Sequence, residues 1–285
     1  MQSFQPEELR FLGRIHDVDD VHRAVSAARA AGFQNINLDF MFGLPRQSLA
    51  AWEETLTRAL ALAPEHLSLY SLIVEPDTPL HHWVQIGRVE ELDEDEAADH
   101  YELALALLAQ AGYQHYEVSN WARAHPADGM MPVFACRHNL VYWRNQPYLG
   151  IGPGAHSHMF LPDGKEGAPV ERRWGNHKPV PGYVRRMMEE EDVAAFTEVI
   201  DTRLSMAETM MLGLRLIEEG VSLDHFQRRY HQSLQQVFAT EISRLEAWGV
   251  INMDRERIRL SPRGIMVGNQ VFSHFMPEEP AAALS

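Results

Sequence analysis

Apolar residues recur along this chain with two different periods, and the alternation between them predicts its elements. From Asp19 to Ala31, Val21, Ala24, Val25 and Ala28 fall on one face of a 3.6-residue repeat, which predicts a helix with Gly32 as its C-cap. Ile36, Leu38 and Phe40 then form an apolar run ended by Gly43-Leu44-Pro45, the mark of a strand followed by a turn. Ser48 to Leu62 reads as a second helix, with Ser48 as N-cap and Ala51, Leu56, Ala59 and Leu62 inward. His66 to Val74 and Tyr113 to Val118 read as strands, and Glu94 to Ala111 between them as a helix. This strand–helix alternation predicts an α/β fold, a largely parallel sheet or barrel.

Near residue 160 the pattern changes. Leu161 to Pro181 is rich in Gly, Pro and charge and reads as a connection, followed by a short helix over Tyr183–Glu191. Helices are predicted from Ser205 to about Glu219, Leu223 to Tyr230 and Leu234 to Trp248. A hairpin follows through Gly249-Val250-Ile251 and Arg257–Leu260, then a last helix over Gly264–Phe275. Three helices and a hairpin outline a winged helix. The division expected is 1–160, a connecting segment 161–200, a small mainly helical domain 201–277, and a frayed tail 278–285.

Composition narrows the function classes. The 285 residues suit one large or two modest domains, and a 45% hydrophobic fraction fills a core. A formal net charge of −15 argues against broad binding to nucleic acid or anionic membranes. The predicted second and third helices of the winged helix mix Asp224, Glu241 and Glu246 with Arg228, Arg229 and Arg244, so no basic recognition stripe forms. Met1 to Arg14 is polar and no signal peptide, and no apolar run approaches the ~20 residues of a membrane helix. Peripheral contact is the one membrane association left open. A single cysteine, Cys136, suits a reducing cytoplasmic setting. The pair His81-His82 lacks Cys or acidic partners at ligand spacing and predicts no metal site.

Asp39 stands as an acid in the otherwise apolar run Asn37-Leu38-Asp39-Phe40-Met41-Phe42. Such a charge is costly without a partner or ligand, and barrels build their sites at strand C-terminal ends. Asp39 therefore belongs to a site, caps the next turn, or pairs with an Arg. Glu117 is either a second site carboxylate or the partner of a backbone loop.

The block Asn37 to Gln47, with its Asp39 and Gly43-Leu44-Pro45, resembles a segment of the oxygen-independent coproporphyrinogen III oxidase family of radical S-adenosylmethionine (SAM) proteins. Gln2-Ser3-Phe4 and Leu12-Gly13-Arg14 resemble the segment before it, and Tyr116-Glu117-Val118-Ser119-Asn120 one after it. The resemblance implies a radical-SAM, TIM-like barrel, with Gln2, Arg14 and Asp39 approaching SAM. An amide and a carboxylate suit ribose hydroxyls or an amino group, and an Arg suits a carboxylate. Cys136-Arg137-His138-Asn139-Leu140-Val141-Tyr142-Trp143, with Tyr148 to Ser157 after it, resembles the signature of the family's haem-chaperone branch. That implies a protein that binds haem and delivers it to an acceptor protein. His138 is then the ligand to haem iron, with Asn139, Tyr142 and Trp143 beside it, since imidazole is a common axial ligand and aromatic faces suit a macrocycle. A hydrogen-bonded structural role fits the same histidine. His156 is a second candidate, and Gly152-Pro153-Gly154 either admits a planar ligand or makes a tight turn. Glu208, Met211 to Arg215, Gly220-Val221, Gly249-Val250 and Leu260 to Gly264 resemble the family's C-terminal domain.

The family holds a 4Fe-4S cluster through three closely spaced thiolates, and one cysteine cannot supply them. The resemblance thus implies an incomplete barrel without the cluster-binding part, a segment of about 100 residues by domain-size reasoning. Radical chemistry is expected to be lost, and open sheet edges are expected to make the chain depend on a partner such as that N-terminal segment. The alternative function is that of a coproporphyrinogen III oxidase in porphyrin biosynthesis, working by hydrogen abstraction.

Overall fold

Capping side chains mark where several of the helices start, and the apolar repeats set which faces turn inward. A computed structural model describes residues 1–90, 93–126, 128–162 and 169–277. The chain divides into two compact units, Met1–Ala135 and Cys136–Ser285. The predicted tail 278–285 lies outside the described residues.

In the first unit α1 (Pro6–Phe11) precedes α2 (Val18–Ala30). Asp17 and Asp20 cap α2 reciprocally, each carboxylate accepting from the other's backbone N–H at 2.8 and 2.9 Å. Then come β1 (Asn37–Phe42), α3 (Leu49–Ala61) with Ser48 as its cap, and β2 (His66–Ser71). They are followed by α4 (Pro79–Gln85), α5 (Glu94–Gln110), β3 (Tyr113–Glu117) and β4 (Asn120–Arg123). The open sheet runs β1-β2-β4-β3. β1 and β2 are parallel, in register from Asn37 opposite His66 to Phe42 opposite Ser71. β4 runs antiparallel to both β2 and β3, so β1, β2 and β3 point the same way with β4 inserted against them. The sheet is therefore less purely parallel than predicted. The apolar pattern does not separate Trp121-Ala122 of β4 from the strand before it, because only Val118 and Ser119 intervene.

The two sheet faces differ in chemistry. Leu38, Phe40, Phe42, Leu67 and Leu69 are buried on the helix-covered face, where Phe42 meets Trp52 of α3 and Tyr101 of α5 at 5.7 and 5.8 Å between ring centroids. The opposite face, the interior side in a barrel, carries Asn37 and Asp39 beside His66 and Ser68. Burial drives the ring of His66 down to about 4, the nearby Asp39 opposing it. His115, stacked flat on Trp121 at 4.3 Å, is also driven down to about 4 by burial, against backbone acceptors at Val118 and Glu117.

The second unit opens with α6 (Arg137–Trp143). Its first sheet is an antiparallel meander of β5 (His156–Leu161), β6 (Val170–Asn176) and β7 (Ala194–Val199), with α7 (Val180–Met188) between the last two. The units thus divide at 135/136 rather than at 160/161, and 161–200 carries strands and a helix rather than a connection. β6 escapes a hydrophobic reading because its inward positions are Glu171 and Arg173. The helix expected over 183–191 begins earlier because Pro181 sits in its first turn, where no backbone donor is needed.

α8 (Thr202–Gly213), β8 (Val221–Ser222), α9 (Leu223–Tyr230), α10 (Leu234–Val237) and α11 (Ala239–Ala247) follow. β9 (Ile251–Met253), β10 (Arg257–Leu260), α12 (Pro262–Met266) and α13 (Gly268–Ser273) complete the winged helix, whose sheet runs β8-β10-β9. Gly220 cannot be replaced here: its φ is +53°, and a Cβ would stand 2.3 Å from the Ile258 carbonyl oxygen.

Polar groups join the meander to these helices. Glu171 accepts from His158 Nε2 at 2.7 Å, Ser205 Oγ at 2.7 Å and Arg229 at 3.3 Å. Burial pushes its carboxyl up, but these donors outweigh burial and hold it below the usual range. Arg173 adds a bidentate pair to buried Glu208 at 2.5 and 2.6 Å. The Tyr230 hydroxyl bonds Thr209 Oγ1 and the Ser205 carbonyl at 2.7 and 2.9 Å.

Two outcomes are expected. Glu171→Ala strands His158, Ser205 and Arg229 and should cost about 3–5 kcal/mol in urea unfolding, with Glu171→Gln costing less. For the first unit, both histidines sit below their ordinary 6.5 when folded, so the unfolded chain takes up the protons first. Their stabilisation is complete above pH 6.5 and falls, by roughly 3 kcal/mol each, as pH drops from there to about 4. Urea midpoints measured across that window should fall steeply for the parent and less steeply for His115→Phe.

Candidate functional site

The residues singled out by the sequence form two clusters, one in each unit. In the first, the backbone carbonyl of Gln2 accepts from Met41 N at 2.9 Å, which lays the residue alongside β1. Gln2 Oε1 is buried and takes no hydrogen bond from the described residues. Arg14 is exposed and Asp39 half-buried. The Met1 ammonium senses both: burial lowers it, Asp39 opposes and Arg14 adds to the fall. The three predicted residues therefore share one neighbourhood. Arg14 also lines a cleft of about 400 Å³ with Arg10, His16 and Asp17, which neither Gln2 nor Asp39 reaches.

Asp39 Oδ1 accepts from Asn37 Nδ2 at 2.7 Å. Glu117 is fully buried and accepts from Ser119 N at 3.2 Å and from the Asn120 amide, so its role is to hold the β3–β4 turn. Gln2, Asp39 and Arg14 carry groups of the kind that could hold SAM: an orphaned buried amide oxygen, a carboxylate and a guanidinium. The chain's donors do not fit an iron–sulfur cluster: Cys136 is the one thiol, and no group of three or more His, Cys, Asp or Glu among the described residues is placed to hold a metal ion.

In the second unit α6 presents His138 and Tyr142 one turn apart, so their side chains share a face. Their rings meet edge to face at 4.9 Å, and Tyr142 meets Tyr148 at 4.6 Å in the same manner. Tyr148 is fixed in turn by paired backbone bonds with His158 at 2.7 and 2.9 Å. Its hydroxyl lies within the fields of Arg173 and Glu208, while burial raises it. His138 is exposed and Asn139 half-buried, leaving an accessible imidazole at the end of an aromatic row.

Trp143 is not part of that row. Five residues beyond His138 on a helix it points elsewhere, and the Arg215 guanidinium stands over its ring at 4.3 Å, with Phe272 also beside that guanidinium. Trp143 therefore packs α6 onto the winged helix, on a different face from His138 and Tyr142. Tyr148, five residues past Trp143 in the same motif, joins the row instead. His156 is exposed and meets Phe196 edge-on at 5.5 Å. Gly152-Pro153-Gly154 is a tight turn: Ala155 N bonds the Gly152 carbonyl at 3.3 Å, and that oxygen also accepts from Asn176. The glycine that allows a close approach is Gly150, where a Cβ would lie 2.1 Å from the His156 carbonyl oxygen.

Residues 202–267 match the family described as the HemN C-terminal domain. The heme chaperone HemW of Bacillus subtilis is 36% identical over 278 residues, covering 98% of this chain and 68% of that protein. HemW of Lactococcus lactis is 31% identical over 279 residues, with the same coverage of each. The mouse mitochondrial radical S-adenosyl methionine domain-containing protein 1 is 33% identical, covering 98% of this chain and 61% of its own length. Among solved structures, Escherichia coli coproporphyrinogen III oxidase (HemN), a radical SAM enzyme, superposes with a TM-score of 0.72 at 18% identity. That match covers 96% of this chain and 62% of HemN, and it shows a shared fold. Similarity that covers nearly all of this chain at 36% identity, on a HemN-like fold, makes the chain a member of the HemW heme chaperone family.

Proposed function

We propose that this chain binds haem through its second unit and passes it to an acceptor protein, with His138 as the axial ligand to iron. The observation that carries the reading is an exposed imidazole abutting the Tyr142–Tyr148 pair on a face set by α6. Imidazole nitrogen is a good donor to haem iron, and tyrosine rings offer apolar area with a polar tip that tolerates a wet rim. Because His138 is solvent-facing, the iron is reachable from outside, which suits a carrier that must give its ligand up. In the first unit, Gln2, Arg14 and Asp39 would hold SAM, the Arg and the carboxylate gripping its amino-acid end or ribose. No helix among the described residues is long and apolar enough to cross a membrane. Haem capture and release in the cytoplasm is the setting the reading assumes.

Spectroscopic titration with haem tests it. His138→Ala should move the Soret band and weaken binding at least tenfold, about 1.4 kcal/mol. Tyr148→Ala should weaken binding without changing the ligand signature, and Trp143→Phe should leave the spectrum unchanged. Leu140→Ala, on the buried side of α6, controls for packing. An unchanged spectrum and affinity in His138→Ala, with loss in His156→Ala, assigns the iron to the other histidine. A parent that binds haem no better than an unrelated acidic protein refutes the reading.

For SAM, equilibrium dialysis should show Asp39→Asn binding at least tenfold more weakly than the parent.

A further inference from the structure

The carboxylate of Asp39 ends a chain of side-chain hydrogen bonds that crosses three strands. Asn37 Nδ2 lies 2.7 Å from Asp39 Oδ1. Asn37 Oδ1 lies 2.7 Å from His66 Nδ1 and 3.3 Å from Ser68 Oγ. His66 Nε2 lies 2.7 Å from the hydroxyl of Tyr116. Tyr116 is fully buried, and His66 and Ser68 nearly so.

Donor and acceptor roles in this chain follow from its end. A carboxylate only accepts, so the Asn37 atom facing Asp39 is the NH2 group. Asn37 Oδ1 then faces His66 and accepts, which puts the proton of a neutral His66 on Nδ1. His66 Nε2 is left as a lone pair, and the Tyr116 hydroxyl donates to it. Ser68 donates a second hydrogen bond to the same Asn37 oxygen. Burial favours the neutral ring, since a charged imidazolium would lose its hydration here, the nearby Asp39 opposing it.

We propose that Asn37, His66 and Tyr116 are positioning residues: a one-way relay, Tyr116 to His66 to Asn37 to Asp39, that fixes the orientation of the Asp39 carboxylate for SAM. The role rests on the reading that Asp39 holds SAM. Asn37 and Asp39 alternate on the open face of β1, and a lone carboxylate there is free to rotate about its terminal bond. One donor at Oδ1, itself held by two buried groups on β2, removes that freedom and directs the rest of the carboxylate away from the sheet. Ligand binding then does not have to order the side chain.

The test has two readouts. Long-range proton–nitrogen spectra of the parent, with His66 assigned through His66→Gln, should show the Nδ1–H tautomer, the form that imidazole in water disfavours. An Nε2–H ring in the parent overturns the relay, whatever SAM does. SAM affinity by equilibrium dialysis is the second readout, with Asn37→Ala, Asn37→Asp, Tyr116→Phe and Asp39→Asn compared. The relay expects at least a tenfold loss in Asn37→Ala and in Asn37→Asp, which keeps the shape but removes the donor. It expects a smaller loss, about threefold, in Tyr116→Phe, together with a shift of the His66 nitrogen signals. If Asp39→Asn loses SAM while both Asn37 variants keep the parent's affinity and a folded spectrum, the positioning role is overturned and the Asp39 reading stands. If the parent takes up no SAM, the ligand reading falls and the role with it, while the tautomer still decides whether the relay exists.

Discussion

A carboxylate withdrawn from water must be met by donors, and in the second unit that requirement falls on Glu171. Its three partners come from three different elements: His158 from β5, Ser205 from α8 and Arg229 from α9. No one of these contacts is strong alone. Together they fix where the meander stands against the helices, because shifting any element leaves a charge or a donor unpaired. The aromatic row running from α6 inherits this. His158 holds Tyr148 through backbone bonds, Tyr148 meets Tyr142, and Tyr142 meets His138. The exposed imidazole is thus four contacts from the buried acid.

Among its described residues, the first unit solves a similar problem without a salt bridge at the sheet's polar face. Its buried polar groups there are neutral amides, hydroxyls and imidazoles, whose desolvation costs less than that of ions. Such groups bond only in matched donor–acceptor order, so their arrangement carries direction as well as position. An ionic pair stands at the edge of this sheet, where partly accessible Arg29 meets buried Glu65 at 2.8 Å. The contrast suits the two ligands proposed. SAM needs a carboxylate aimed at it, whereas haem needs one accessible nitrogen and a firm wall.

How far the fold was legible in the sequence depended on the side of the chain that carried the signal. α2 and α3 were readable because their apolar residues keep the helical period, with Gly32 closing the first and Ser48 opening the second; the Asp17 cap of α2 emerged only from the structure. The winged helix was readable as an order of elements, although Phe238 breaks one predicted helix into two and the last one divides at Val267. β6 was not readable, since a strand that buries Glu171 and Arg173 looks like a solvated loop until its partners on α8 and α9 are known. In the site, motif resemblance put His138, Asn139, Tyr142 and Trp143 in one group. Helical geometry divides that group, setting Trp143 on a different face from His138 and Tyr142. The Asn37–His66–Tyr116 relay left no linear trace, because its members lie on different strands and only the register unites them.

The insertion of β4 has a consequence for how the first unit reaches its fold. β3 and β4 meet across Val118 and Ser119, so their pairing is among the most local in the sheet and carries little loop-closure entropy. β4 must then find β2, pairing Ser68 with Asn120 across two intervening helices. The β1–α3–β2 segment and the β3–β4 hairpin are two local pieces joined through the strand that opposes the others in direction. Contact order in this sheet is concentrated at one seam, and the polar face of β2, with Ser68 on it, acquires its β4 neighbours only when that seam closes.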